Sequence, residues 1–231
     1  MDGYVVPEDV YLIFAKGKQN DVPVITGSNP NEGTTLTIGR GTTLDSPADQ
    51  AELLKLYPPA KQDEITGAGM LWTANTWAHM EAKTGTKKTY QYYYTHRNPY
   101  PASEKFTDDQ GNPRDVSNIG ALHSAEIIYV FNNLDIRRLR NFKWQPWDYQ
   151  LSDMTSSYWV NFATTGNPNG KGLPPWPVFD EKNQQVLEFG DAVKAIPLPR
   201  KEEVDFWNRV NLIAELMTPT GKPLGRSLFF G

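Results

Sequence analysis

The stretch V-P-V-I-T-G-S-N-P-N-E-G, residues 22–33, decides the fold class of this chain. Residues 22–26 form a short apolar run rich in β-branched side chains, which predicts a buried parallel strand. The following residues, 27–33, are a dense series of turn formers and predict a loop. Loops that follow buried strands are where α/β sheets place functional side chains.

Glu32 is the only ionisable residue of this loop, and two interpretations of it stay open at this point. As a functional carboxylate it would act at the carboxyl end of the strand. As a structural residue it would stabilise the N-terminus of a helix starting near Thr34, because helix dipoles favour acidic side chains there.

Helical and strand patterns alternate along the rest of the chain. Apolar spacing and end signals predict helices at residues 8–16, 45–57, 65–83, 148–165 and 202–217. Further strands are predicted at 89–95 and at 185–189, the second of which we expect to be the last strand. Residues 98–118 are rich in proline and charge and predict a long surface loop. This alternation indicates the α/β class.

A second candidate lies in I-G-A-L-H-S-A-E-I-I-Y-V-F, residues 119–131. We expect Gly120 to bend the backbone by adopting positive φ, which leaves His123 on a turn before a short helix or strand. A histidine can move protons near neutral pH, although a structural histidine is the alternative. His79 is expected to be an ordinary helix residue, and His96 is a weaker candidate because it leaves a strand for a loop.

Composition excludes several function classes. The chain has 231 residues, a net charge of -4 and no cysteine, so thiol nucleophiles and disulfides are excluded. The short basic patch Arg137, Arg138 and Arg140 does not favour nucleic acid as a partner. Apolar runs fall short of a membrane span, and the first ten residues do not form a signal-peptide pattern, which leaves localisation open. Motifs for metals and phosphates are absent, Gly39-Arg40-Gly41 being too short a match, so no cofactor is expected.

What remains is an acid followed by a histidine, both on loops. In α/β-hydrolases the catalytic order is serine, then Asp or Glu, then histidine. A carboxylate that accepts the Nδ1–H of the histidine fixes its tautomer and stabilises the imidazolium. Glu32 and His123 fit the last two members of this order.

Several motifs together resemble the type-B carboxylesterases, the family of cholinesterases and p-nitrobenzyl-type esterases. The acid loop 27–33 is similar to the family's G-x-N-x-x-E-G, and residues 120–123 are similar to its G-x-x-H turn. Further matches are Glu126-Ile127 with Val130-Phe131, the run 158–169, and Phe206-Trp207. The resemblance implies an α/β-hydrolase fold in which Glu32 and His123 are two members of a serine-hydrolase triad.

The sequence departs from that family at the nucleophile. No serine has glycine at both minus two and plus two: Ser227 has Gly225 before it but Phe229 after it, and Ser124 has neither. The glycine-rich oxyanion loop is also missing. We therefore expect residues 1–231 to be the C-terminal portion of an α/β-hydrolase domain, incomplete through a truncated reading frame, a split gene or processing.

Two functions follow as hypotheses. In the first, the chain is part of a serine esterase that hydrolyses carboxylic esters through an acyl-enzyme, is inactive alone, and needs an N-terminal half for serine and oxyanion hole. In the second, it is a non-catalytic interaction protein or inactive fragment on the same fold. In either case half a sheet would expose a strand edge and an apolar face, which predicts poor solubility, oligomers or dependence on a complementing fragment.

Overall fold

The computed structural model describes residues 4–5, 7–39, 42–115, 119–136 and 141–216, with side chains described to residue 210. Its centre is a four-stranded sheet formed by β1 (Val24–Ser28), β2 (Thr89–Tyr94), β5 (Gln185–Phe189) and β6 (Val193–Pro197) in the order β1-β2-β5-β6. The first three strands run parallel, and β6 is antiparallel to β5. Strand β1 begins and ends two residues later than predicted, so Gly27 and Ser28 belong to the strand.

Helices cover both faces of the sheet. Their bounds are α1 Val10–Ala15, α2 Pro47–Leu56, α3 Glu64–Thr84, α4 Ile127–Val130, α5 Pro146–Thr165 and α6 Lys201–Leu216. The predicted helices are confirmed within a few residues at each end. Helix α3 connects β1 to β2 and packs against both strands, as a crossover between parallel strands requires.

Helix ends follow the local sequence. Ser46 caps α2 by accepting a hydrogen bond from the Asp49 N–H, and Pro47 occupies the first turn. Helix α5 starts two residues before its predicted position, because Gln145 and Asp148 form a reciprocal capping box around its first turn. Gly166 ends that helix with φ 74°, a left-handed conformation that favours glycine.

The alternation of side chains along β2 divides the core in two. Tyr90 and Tyr94 point into a cluster with α5, whereas Tyr93 points into a cluster with α2, α3 and α6. Trp176 lies at the centre of the first cluster and contacts the rings of Tyr90, Tyr158 and other aromatics edge-on. The high aromatic content of the sequence therefore serves the core, where such pairs add to the hydrophobic stabilisation.

One prediction about strands was wrong, and one small hairpin was not predicted. The strand at 185–189 is not the last one: β6 pairs with all five residues of β5 through a tight hairpin. The predicted loop 98–118 contains a small hairpin of β3 (Phe106–Thr107) and β4 (Pro113–Arg114). Asp108 closes this hairpin: it accepts hydrogen bonds from Asn112 and forms an ion pair with Arg114. Such short strands carry too few residues to show an alternating pattern.

The two edges of the sheet differ. On β6, Lys194, Ala195 and Pro197 are exposed, and a charged or proline-bearing edge resists further pairing. On β1, residues 24–27 are half-buried, and among the described strands only β2 pairs with it. The described part of the chain thus has one protected edge and one open edge. No described helix is long and apolar enough to cross a membrane.

Candidate active site

The acid loop leaves the carboxyl end of β1 and turns immediately into a 3-10 helix, Glu32–Thr34. Glu32 is the first residue of that helix, so the structural interpretation correctly placed it at a helix N-terminus, two residues before the expected start near Thr34. Its carboxylate is buried, with 7% of the side chain exposed. Oε1 accepts the backbone N–H of Asn29 at 2.9 Å, and Oε2 lies 2.5 Å from Nδ1 of His123. The loop therefore presents one carboxylate oxygen to a histidine far along the sequence.

The histidine turn is fixed directly to the acid loop. The N–H of Asn31 donates to the carbonyl of Ala121 at 3.2 Å, and the N–H of Ala121 donates to Oδ1 of Asn31 at 3.1 Å. Asn31 and Leu122 form an isolated parallel bridge. These paired hydrogen bonds hold the two segments in one register and bring Glu32 and His123 together.

Two glycines allow close packing around the acid loop: Gly120 lets the histidine turn approach Asn31, and Gly33 lets the loop approach Asp63 at the start of α3. A Cβ on Gly120 would lie 2.0 Å from Oδ1 of Asn31, and a Cβ on Gly33 would lie 1.8 Å from the carbonyl oxygen of Asp63. Gly120 is thus needed for space, and the prediction that it bends through positive φ was wrong. The positive φ of this turn, 65°, falls on Ser124 instead. A left-handed conformation in a non-glycine residue beside a functional candidate marks local strain.

The imidazole of His123 is accessible. Its side chain is 46% exposed while its Nδ1 is held by Glu32. The hydrogen bond to Glu32 raises the pKa of His123; partial burial opposes this, and the negative charges of Glu32 and Glu126 add to it. The pair can therefore receive a proton on the imidazole and stabilise the resulting cation.

A second carboxylate lies behind this pair. Burial raises the pKa of Glu126, whose Oε2 accepts a hydrogen bond from Nδ2 of Asn29 at 2.6 Å. The hydroxyl of Tyr92 donates to its other oxygen at 3.4 Å. Asn29 and Glu126 both lie in the sequence motifs, but no function was predicted for them, because a contact between residues so far apart leaves no periodic signal.

The other two histidines lie elsewhere. His96 Nε2 contacts Oδ1 of Asp148 at 2.8 Å, and the hydroxyl of Tyr129 donates to the same oxygen at 2.7 Å. This buried group ties the end of β2 to the start of α5. His79 lies in α3, is half-exposed and faces Glu181 at 3.7 Å. Neither contacts Glu32 or His123 in the described hydrogen bonds, and no three described His, Asp or Glu side chains converge as a metal site.

A mostly parallel sheet with an acid loop after one strand and a histidine turn bonded to it is the arrangement of part of an α/β-hydrolase domain. Solved structures of PNB esterases share this fold. A PNB esterase superposes with a TM-score of 0.61 at 20% identity, covering 87% of this chain and 41% of that chain. A thermophilic PNB esterase gives a TM-score of 0.65 at 21% identity, covering 89% and 42%.

Sequence comparison gives the family. The model of the carboxylesterase family matches residues 37–207, and the chain belongs to that family. Carboxylesterase 1D of Rattus norvegicus is 26% identical over 245 residues, covering 91% of this chain and 40% of its own length. Liver carboxylesterase of Sus scrofa is 27% identical over 243 residues, covering 90% and 40%. The chain spans about 40% of the length of these relatives.

Proposed function

We propose that this chain supplies the acid and the base of a serine carboxylesterase. The observation that carries the proposal is the 2.5 Å contact between Oε2 of buried Glu32 and Nδ1 of half-exposed His123. Because Nδ1 is occupied by the carboxylate, the free ring nitrogen Nε2 is the one available to a nucleophile. Membership of the carboxylesterase family supports carboxylic esters as the substrate class.

In the proposed reaction His123 accepts the proton of a serine hydroxyl while that oxygen attacks the ester carbonyl. The same proton is then donated to the departing alcohol, leaving an acyl-serine. Water attacks the acyl group in the second half, with His123 again accepting and returning a proton. Glu32 holds the imidazole in one orientation and stabilises its positive charge throughout, without becoming protonated.

The nucleophile is proposed to come from a segment outside residues 1–231. The sequence has no G-x-S-x-G, and in an α/β-hydrolase that elbow follows a strand of the same sheet. We propose that the matched region is the C-terminal portion of the domain, and that the missing strands pair at the open edge of β1. A parallel strand there would end beside the acid loop, which follows β1 directly.

Apolar surface beside β1 and at the end of α4 supports this arrangement. A groove of about 1000 Å³ is lined by residues of the N-terminal segment, α1, α3 and β1. Its apolar members include Val5, Val10, Phe14, Val24, Ile25 and Trp77. Phe131, at the end of the histidine turn's helix, has 68% of its surface exposed. Apolar surface of this kind is usually covered by another segment or partner.

The test is reconstitution of esterase activity. The chain would be assayed with p-nitrophenyl acetate alone and after co-expression with an esterase segment that carries G-x-S-x-G and an oxyanion loop. We expect no turnover alone and turnover in the complex. In the complex, Glu32→Gln should lower kcat by about 10⁴-fold, as loss of the triad acid does elsewhere, and His123→Gln by at least as much.

His79→Gln is the matched control, because it changes a half-exposed histidine on α3 by the same substitution. It should leave kcat and KM unchanged. Turnover in the complex that survives His123→Gln would contradict the assignment of the base. A stable complex that never hydrolyses short or long acyl esters would instead favour the non-catalytic interaction protein.

A further inference from the structure

We propose that Asn29 is a positioning residue that sets His123 against Glu32 through the two N–H groups of its side chain. The inference rests on the proposed function for its catalytic meaning, but its geometric content concerns this chain alone. Asn29 lies directly after β1, three residues before Glu32 and distant in sequence from the histidine turn. It is 1% exposed, so its contacts are made inside the protein.

The side-chain amide of Asn29 spans the histidine turn. Nδ2 donates to the carbonyl oxygen of Leu122 at 2.6 Å and to Oε2 of Glu126 at 2.6 Å. These acceptors lie one residue before and three residues after His123. An NH₂ group has two donors, and both are used here. The amide therefore holds both sides of the turn that carries the imidazole.

The backbone of the same residue holds the acid. The N–H of Asn29 donates to Oε1 of Glu32 at 2.9 Å, which leaves Oε2 for His123. One residue thus fixes the carboxylate through its main chain and the histidine turn through its side chain. Because both anchors start from a single Cα at the end of a strand, they set the distance between the two groups.

The remaining polar atom of the amide shows that the donors are the reason for asparagine at this position. Oδ1 of Asn29 is buried and accepts no hydrogen bond among the described residues. An unsatisfied buried acceptor is costly, so it is tolerated here in return for the two donated bonds. Aspartate has the same shape but, when ionised, only accepts. It would face the Leu122 carbonyl and the Glu126 carboxylate with repulsion at both.

Charge around His123 depends on the same contact. Burial raises the pKa of Glu126, and the hydrogen bond from Asn29 acts against that rise. The carboxylates that face His123 are Glu32 and Glu126, and both raise its pKa. Asn29 donates to Glu126 through its side chain and to Glu32 through its main chain. A substitution at this position therefore removes the contact to Glu126 directly and leaves the main-chain donor to Glu32 in place.

The experiment compares Asn29→Asp with Asn31→Asp in the full chain. The two substitutions add the same charge to the same loop, but Asn31 accepts from the Ala121 N–H through Oδ1, and aspartate retains that acceptor. Histidine labelled with ¹⁵N reports the tautomer and pKa of His123, and the chain has only three histidines to assign. The low-field proton of the Nδ1–H bond to Glu32 gives a second readout.

We expect Asn31→Asp to retain the Nδ1–H tautomer and the low-field proton. Asn29→Asp should lose the low-field proton, give a mixture of tautomers and lower the pKa of His123 towards its ordinary value, despite the added negative charge. If Asn29→Asp fails to fold, Asn29→Ser, which keeps one donor, should show a partial loss. Unchanged His123 signals in a folded Asn29 variant would overturn the proposal, as would equal effects of both aspartates.

A reconstituted complex separates this inference from the proposed function. There Asn29→Asp should lower kcat by at least about tenfold, by analogy with the loss of partners that orient metal-ligating histidines, with little change in KM. If the wild-type complex hydrolyses no ester, the proposed function fails, while the NMR comparison still decides whether Asn29 positions His123. If the complex is active and kcat survives the loss of the amide donors, the positioning role fails alone.

Discussion

Replacement of Gly33 by alanine should disturb the acid loop more than any other single methyl group near the site. A Cβ at this position would lie 1.8 Å from the carbonyl oxygen and 2.8 Å from the carbonyl carbon of Asp63. Real Cβ atoms essentially never approach other heavy atoms below 3.0 Å. The obstructing atoms are backbone at the N-cap of α3, so no side-chain rotation can relieve the overlap.

The magnitude follows from that geometry. Overpacking a well-packed site costs about 1–3 kcal/mol, and a clash between two backbones belongs at the upper end, near about 3 kcal/mol. For a chain of this size each kcal/mol lowers Tm by roughly 2–4 °C, which predicts a fall of roughly 6–12 °C. Because Glu32 precedes Gly33 in the same turn, the shift should also lengthen the hydrogen bond between Glu32 and His123.

Thermal unfolding followed by circular dichroism measures the fall in Tm. Wild type and variant are compared at equal concentration, because assembly itself shifts Tm. Gly172→Ala is the control: Gly172 has φ 83° and no neighbour within 4 Å of an added Cβ. It carries only the conformational cost of a left-handed residue, about 1–2 kcal/mol. A Gly33→Ala variant no less stable than Gly172→Ala would refute the packing argument.

Three further predictions concern the core and two titrating groups. Trp176→Ala should cost about 3–5 kcal/mol in urea unfolding, because the indole is 2% exposed and donates to a backbone carbonyl of β2 at 3.0 Å. Burial alone would raise the pKa of Asp108, but hydrogen bonds from Asn112 and Gln110 and the charge of Arg114 lower it to about 2. Its stabilisation is present above the ordinary value of 3.8 and lost as pH falls towards about 2, so Asp108→Asn should lose less stability in acid than wild type. The pKa of His123 is raised, so the stability that its protonated form contributes is fully present below pH 6.5 and lost as pH rises through the raised pKa. The difference in unfolding free energy between wild type and His123→Gln should therefore shrink as pH rises. Urea unfolding at several pH values measures this difference.

Much of the fold could be predicted because its signals are local. The 3.6-residue spacing of α3 and α5 and the apolar runs of β1 and β2 each occupy one continuous stretch. Strand β6 was not predicted, although Val193-Lys194-Ala195-Ile196 follows the turn at Gly190. In an edge strand, the alternation of apolar and polar side chains is a weak signal. The hairpin at 106–114 was not predicted because each of its strands has only two residues.

The candidate site likewise combines residues that local sequence predicts with tertiary contacts that it does not. Glu32 could be proposed because turn formers surround it as the only ionisable side chain of its loop, and His123 because the sequence predicted a turn before an apolar run. The contact between them, the bonds between Asn31 and Ala121, and the span of Asn29 across the histidine turn are tertiary contacts, which local pattern cannot supply. The assignment of both residues to catalysis remains a prediction that reconstitution tests.

The unequal edges of the sheet also limit how copies of this chain can associate. Strand β6 exposes Lys194 and Pro197, whereas β1 offers one unpaired row of backbone groups within the described structure. A molecule with one such row can pair with only one other molecule through this edge. Two copies that pair through β1 use up each other's edge, so we expect self-association by this route to stop at a closed two-fold dimer and not to propagate into fibrils.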